Sequence, residues 1–222
     1  MKMKIKLLLF FIMICSGISY AQIVKNIGIK SGITFSNQYW EKTQISTFFM
    51  FETSAAMYEA ITLDFIDKQY WELSSDFGCY QSGVKTKLNP FINYNPPELH
   101  MTEDKFKYGF ISISPVIKFK IPVNSFTPYI LLAPRMDYYY SALGDKVNNE
   151  SDVIKPIWGF TVGEGVEYRK ENISIFAEYQ FMYCFNNFIE QIVSYPFNNE
   201  TETIKINTHV ISLGVKYHFT KK

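Results

Sequence analysis

The sequence predicts an all-β fold: an eight-stranded antiparallel up-and-down transmembrane β-barrel with short periplasmic turns and long extracellular loops. Three features carry this reading. Hydrophobicity alternates with period two rather than the helical period of about 3.6. The connections between alternating segments are short and long by turns, as in outer-membrane barrels. The composition is 47% hydrophobic and 18% aromatic, yet after the first segment no apolar run reaches the roughly twenty residues of a membrane helix. That mixture suits a wall whose strands show one face to lipid and the other to a polar interior.

The first 21 residues read as a signal peptide. Lys2, Lys4 and Lys6 open it, and residues 7–14 form an apolar run too short for a bilayer span. Ser19 and Ala21 supply small residues at −3 and −1 of a cut between Ala21 and Gln22. A lipoprotein signal on Cys15 is disfavoured because Ile14, just before it, is not small. Residues 22–222 then form one barrel domain, expected in the cell outer membrane.

Eight segments alternate: residues 26–35, 55–65, 69–80, 106–119, 127–139, 156–168, 172–183 and 208–219. Each reaches the roughly 9–11 residues that cross a bilayer as a tilted strand. Short turns fall around Asp67-Lys68, Pro122-Val123-Asn124-Ser125 and Arg169-Lys170-Glu171. Long loops are expected over 36–54, 81–105, 140–155 and 184–207. An even strand count places both chain ends on the short-turn side.

Two faces follow from the alternation. The outward face takes Ile27 through Phe35, Ala55 through Phe65, Trp71 through Cys79, Ile111 through Phe119, Ile130 through Tyr138, Trp158 through Tyr168, Ile173 through Tyr183 and Ile211 through Phe219, in steps of two. Only Glu59 and Glu164 are charged there. The opposite face carries Lys30, Asp64, Glu72, Asp76, Lys118, Arg135, Asp137, Glu167, Glu178 and Lys216, read as a network of paired charges filling the lumen. Glu164 lies between Gly163 and Gly165, where a β-bulge is expected to turn it inward. Glu59 has no flanking glycine and stays on the lipid face. Interface girdles are expected from Tyr138-Tyr139-Tyr140, Tyr183, Phe106, Tyr108 and Trp158 at the loop end, and from Tyr70, Trp71, Phe119, Tyr168, Tyr217 and Phe219 at the turn end.

Short motifs along nearly the whole mature chain resemble the PorT-like outer-membrane β-barrel domain family. They are Gly28-Ile29-Lys30-Ser31-Gly32-Ile33-Thr34-Phe35-Ser36, Glu72-Leu73, Tyr80-Gln81-Ser82-Gly83-Val84-Lys85, Ile113-Ser114-Pro115-Val116-Ile117-Lys118, Pro128-Tyr129-Ile130-Leu131, Gly165-Val166-Glu167-Tyr168 and Gly214-Val215-Lys216-Tyr217. Ala133 departs from the glycine usual before Pro134, and Thr220-Lys221-Lys222 extend past the terminal aromatic Phe219. The resemblance implies an outer-membrane barrel and, through the family's namesake, a link to protein secretion.

Net charge is +1, which gives no electrostatic case for nucleic acid. No cofactor, phosphate-loop or metal-ligand motif appears, so no cofactor and no enzymatic activity are expected. Cys79 and Cys184 fall on distant strands and are not expected to pair. His209 and His218 are nine residues apart on one strand, too far to share a site. The first functional reading is a structural anchor or docking surface for envelope or secretion-machinery proteins. Binding would use the turns or the long loops, with Phe91, Tyr94, Phe188, Tyr195 and Phe197 as candidate contacts among asparagines. The competing reading packs those rings over the barrel mouth. Further alternatives are a rim enzyme near His100, beside Glu98, Glu103 and Asp104, a small-solute pore, and a soluble lipocalin-type barrel with the faces reversed.

Overall fold

The computed structural model describes residues 24–41, 49–88, 104–143, 156–194 and 199–219. The strands are β1 (Asn26–Glu41), β2 (Phe49–Asp67), β3 (Trp71–Leu88), β4 (Asp104–Lys120), β5 (Phe126–Leu143), β6 (Ile157–Lys170), β7 (Ile173–Cys184), β8 (Ile189–Ser194) and β9 (Asn199–His218). Strands β1 to β7 pair antiparallel in chain order. β9 joins β7 to β1 and closes the cylinder, so eight strands make the wall. β8 follows β7 after a short break and, running in the same direction, pairs antiparallel with the loop-side end of β9, so it carries on the line of β7 along that strand.

The registers set the barrel's shape. One line of paired residues runs from Tyr168 through Ile175, Val215, Ile29, Ile61, Phe77, Ile113 and Met136 to Trp158. It returns ten residues further along β6 than it began, from 168 to 158, so the shear is ten. Eight strands with that shear tilt by about 40° and enclose a lumen about wide enough for side chains to fill. Every residue on the line is apolar or aromatic and faces outward.

The turn-side rim is closed by backbone hydrogen bonds. Val123 and Phe126 exchange bonds of 2.8 and 3.0 Å. Lys120 donates to Tyr70 at 2.8 Å, Arg169 to Ser125 at 3.0 Å, His218 to Asn172 at 2.8 Å and Phe219 to Lys25 at 3.0 Å. Asn124 and Glu171 take the left-handed conformation (φ 56 for each) that tight turns impose.

The outward phase matches the sequence reading on all eight wall strands. Ile29 is 65% exposed, Leu213 66% and Ile130 56%, although these are large apolar residues. Two expectations are corrected. Glu164 is exposed, pairs with Ile130 and Tyr179 without a register shift, and forms no bulge. Its flanking glycines serve the interior instead: a Cβ on Gly165 would lie 2.6 Å from the Tyr129 ring. Irregular registers occur at Ser54/Tyr58, Asp64/Ile66 and Gly109/Phe110. The long loops are also shorter than expected, because β1, β2, β3 and β9 continue well past their predicted loop-side ends.

Toward the loop side of two strands, β9 and β4, the two faces exchange character. On β9, Ile211, Leu213 and Val215 face out while Ser212 and Lys216 face in. Further toward the loops, Lys205, Asn207 and His209 face out while Ile206 and Val210 are buried inside. β4 repeats the exchange, with Ile111 and Ile113 out over Ser112 and Ser114, then Lys107 out beside buried Tyr108 and Phe110. Tyr108 and Tyr139, expected in the loop-end girdle, therefore point inward, each at most 8% exposed. An apolar outer face over a polar interior, followed by the reverse, is the pattern that two different surroundings along one strand would select.

Candidate functional site

The interior has two layers, both built by inward positions of the alternating strands. The turn-side layer holds the charges. Lys30 Nζ on β1 donates to Asp76 Oδ2 on β3 and to Glu178 Oε2 on β7, both at 2.7 Å. Lys118 Nζ on β4 donates to Glu178 Oε1 at 2.7 Å and stands 3.8 Å from Glu72. Lys216 Nζ on β9 reaches Asp64 at 2.8 Å, Glu72 at 3.0 Å and Glu167 at 3.6 Å. These charges come from seven strands, β1, β2, β3, β4, β6, β7 and β9, so the network ties the wall together across its diameter. Glu178 is the hub: Tyr129 (2.8 Å) and Gln180 (2.9 Å) also donate to it. Lys118 Nζ lies 4.6 Å from the centre of the Tyr129 ring and 5.3 Å from that of Phe176, which adds cation–π attraction in a desolvated setting.

At the turn-side mouth Asp67 accepts from Lys120 and from Asn26 (3.2 Å) and pairs with Arg169 at 3.8 Å. Inside that rim, Ser174 Oγ and His218 Nε2 are 2.5 Å apart, with Glu167 Oε1 3.5 Å from the same nitrogen. Serine, histidine and acid recur here in the residue types of a hydrolase triad. Ser174 is 0% exposed, so no acyl substrate reaches it, and a triad needs an accessible nucleophile with donors for the oxyanion. The arrangement holds the end of β9 against β6 and β7.

Above the charged layer, Arg135 Nε pairs with Asp137 Oδ2 at 2.8 Å, and Tyr80 donates to the same oxygen at 2.8 Å. Arg135 also contacts Thr161 Oγ1 (3.4 Å) and Cys184 Sγ (3.3 Å). The loop-side layer is apolar. Phe188, 1% exposed, sets its ring 4.8 Å from Tyr108, 5.4 Å from Phe110 and 5.8 Å from Tyr139. Ile157, Met182, Ile206 and Val210 complete this cluster.

All nine charges singled out in the sequence, Lys30, Glu72, Asp76, Lys118, Arg135, Asp137, Glu167, Glu178 and Lys216, lie in the lumen and are 7% exposed or less. Arg135 and Asp137 form a pair of their own above the network of the other seven. Phe188 is corrected: it closes the barrel mouth and offers no exposed contact. Phe91, Tyr94, Tyr195, Phe197 and His100 lie outside the described residues. The alternation rule also selected none of Tyr58, Tyr129, Ser174, Gln180 and His218 as charge partners, because an uncharged polar group on an inward face looks like filling. Cys79 faces outward and Cys184 inward, both as free thiols.

No family model matches the chain, and no curated protein matches it in sequence. Solved barrels are similar in shape. Neisserial surface protein A (NspA) aligns at 15% identity over 87% of this chain and 97% of its own, with a TM-score of 0.49. The N-terminal β-barrel domain of Pseudomonas aeruginosa OprF aligns at 12% identity over 88% and 98%, with a TM-score of 0.43. The outer membrane protease OmpT from Escherichia coli aligns at 9% identity over 87% and 97%, with a TM-score of 0.45.

Proposed function

We propose that this chain is a non-enzymatic outer-membrane barrel, exported by a signal peptide cut between Ala21 and Gln22, that serves as an anchor or docking surface for other envelope proteins. The observation that supports it is the apolar belt wrapped around a charged lumen: Ile29, Ile61, Ile113, Ile130 and Leu213 turn outward while Lys30, Lys118 and Lys216 turn in. Water would favour the reverse, whereas hydrocarbon favours this arrangement. A packed, ion-paired interior favours an anchor over a solute pore. With the lumen filled, binding falls to the loops or to the turn-side rim around Asp67, Lys120 and Arg169. The PorT-like motifs make a secretion assembly the first class of partner to seek.

The location is tested by fluorescence of Trp71 and Trp158 in a Trp40→Phe background, with the protein reconstituted in lipids brominated along the acyl chain. Both side chains are exposed, at 38% and 54%, near opposite ends of the belt. Quenching of both is expected. Emission insensitive to bromine, with the protein in the aqueous fraction, would overturn the reading. Planar-bilayer recordings should show no steady conductance; a steady current would favour the pore.

A further inference from the structure

The charged layer ends, on its loop side, at a carboxylate that is only half used. Asp76 Oδ2 takes the Lys30 ammonium at 2.7 Å, but that ammonium is shared with Glu178. Oδ1 of Asp76 has no partner among the described residues, although the side chain is only 9% exposed. Three fully buried amines, Lys30, Lys118 and Lys216, serve five buried carboxylates, Asp64, Glu72, Asp76, Glu167 and Glu178. Lys120 adds a contact to Glu72 at 3.4 Å but also serves Asp67 at the rim. Lysine ammoniums are therefore fewer than carboxylates in this layer, Glu167 having His218 Nε2 at 3.5 Å besides, and a buried carboxylate oxygen without a counter-charge is unfavourable.

Asp76 lines an interior cavity together with Tyr58, Ser112, Ser114, Thr161 and Gln180, Val116 and Leu131 being among its apolar remainder, and Thr161 Oγ1 also accepts from Arg135 at 3.4 Å. Its volume is about 10 Å³, close to one water-sized particle. The polar atoms these side chains bring are oxygens apart from the Gln180 amide nitrogen, which donates to Glu178. A set of hydroxyl, amide and carboxylate oxygens suits a hard cation. One carboxylate, with an ammonium already on its other oxygen, suits a single positive charge; a divalent ion takes more carboxylates.

We infer that this cavity is a binding site for a monovalent inorganic cation of sodium or potassium size, held by Asp76 Oδ1 and the surrounding hydroxyl and amide oxygens. The ion supplies the counter-charge that Asp76 Oδ1 lacks at the loop-side end of the layer.

The test uses the full mature chain, folded in detergent. Thermal unfolding is followed in sodium, potassium or rubidium chloride and in N-methylglucamine chloride at equal ionic strength. The inorganic salts are expected to raise the midpoint by about 3 °C over the bulky organic cation. Asp76→Asn should abolish that difference. The Ser112→Ala/Ser114→Ala double variant removes two hydroxyls and no charge, so it serves even if Asp76→Asn fails to fold, and it should shrink the difference. Crystals grown in rubidium should show an anomalous peak in the cavity. Equal midpoints in all four salts, an undiminished difference in the variants, or ordered water in the cavity without an anomalous peak would each overturn the inference.

Discussion

The two halves of the lumen are filled in opposite ways. The turn-side half is packed with lysines and carboxylates at 2.7–3.8 Å, and the loop-side half with the rings of Tyr108, Phe110, Tyr139 and Phe188. On the membrane reading proposed above, what differs is the medium outside. Where the wall meets hydrocarbon, an apolar interior would leave the two faces alike, and nothing would fix which one turns in. Inward charge makes the inverted barrel very unfavourable, because each lysine would then face lipid. Beyond the belt the wall meets water, and burying aromatic rings is favourable again. A single chain thus follows two rules, with the changeover near Ile111 on β4 and Ile211 on β9.

This contrast can be broken at four points, given from the largest expected effect to the smallest. Glu178→Gln leaves the Lys30 and Lys118 ammoniums without their shared carboxylate in a dry interior. Loss of about 3–5 kcal/mol is expected in denaturant unfolding from lipid vesicles. Phe188→Ala opens the apolar cluster and should cost about 3 kcal/mol in the same assay. It should add no conductance, since the Arg135–Asp137 pair and the charged layer still lie beneath it. Leu213→Arg and Gln81→Arg place the same side chain on the outer wall at two heights. The first should cost about 2–3 kcal/mol, and the second should stay within about 0.5 kcal/mol. Equal costs would remove the boundary. Last, Glu164→Gln and Glu59→Gln should each stabilise the barrel in vesicles by up to about 1 kcal/mol. The gain at Glu59 should be the smaller, because Ser31 and Cys79 flank it on the neighbouring strands and make the wall locally polar.

The part of the fold that the sequence displays is the part under the strongest rule. In the belt, a one-residue slip would exchange every Ile and Lys between lipid and lumen, so the phase of Lys30, Glu72 or Lys216 can be read from neighbours alone. The loop-side extensions lack that contrast. In β9, residues such as Thr203, Lys205 and Asn207 alternate with apolar ones in the reversed sense, and a search for apolar-out positions stops at the reversal. β8, with the sequence IEQIVS, shows no strict alternation to be read. Gly163 and Gly165 misled differently. Glycine in a strand signals either a bulge or a close approach, and only the distant Tyr129 and Gln180 decide between them. In the candidate site, the charges were legible but their partners were not, since Lys30 and Glu178 meet across 148 positions of chain.

The exchange of faces is tested most directly by two spin labels on β4, one at Ile113→Cys and one at Lys107→Cys, in a Cys79→Ser, Cys184→Ala background reconstituted in vesicles. Both positions face outward, six residues apart. Collisions with oxygen should dominate at 113, and collisions with a water-soluble nickel chelate at 107. Labels at both positions that meet mainly the chelate, or both mainly oxygen, would contradict a wall that passes from lipid into water between them.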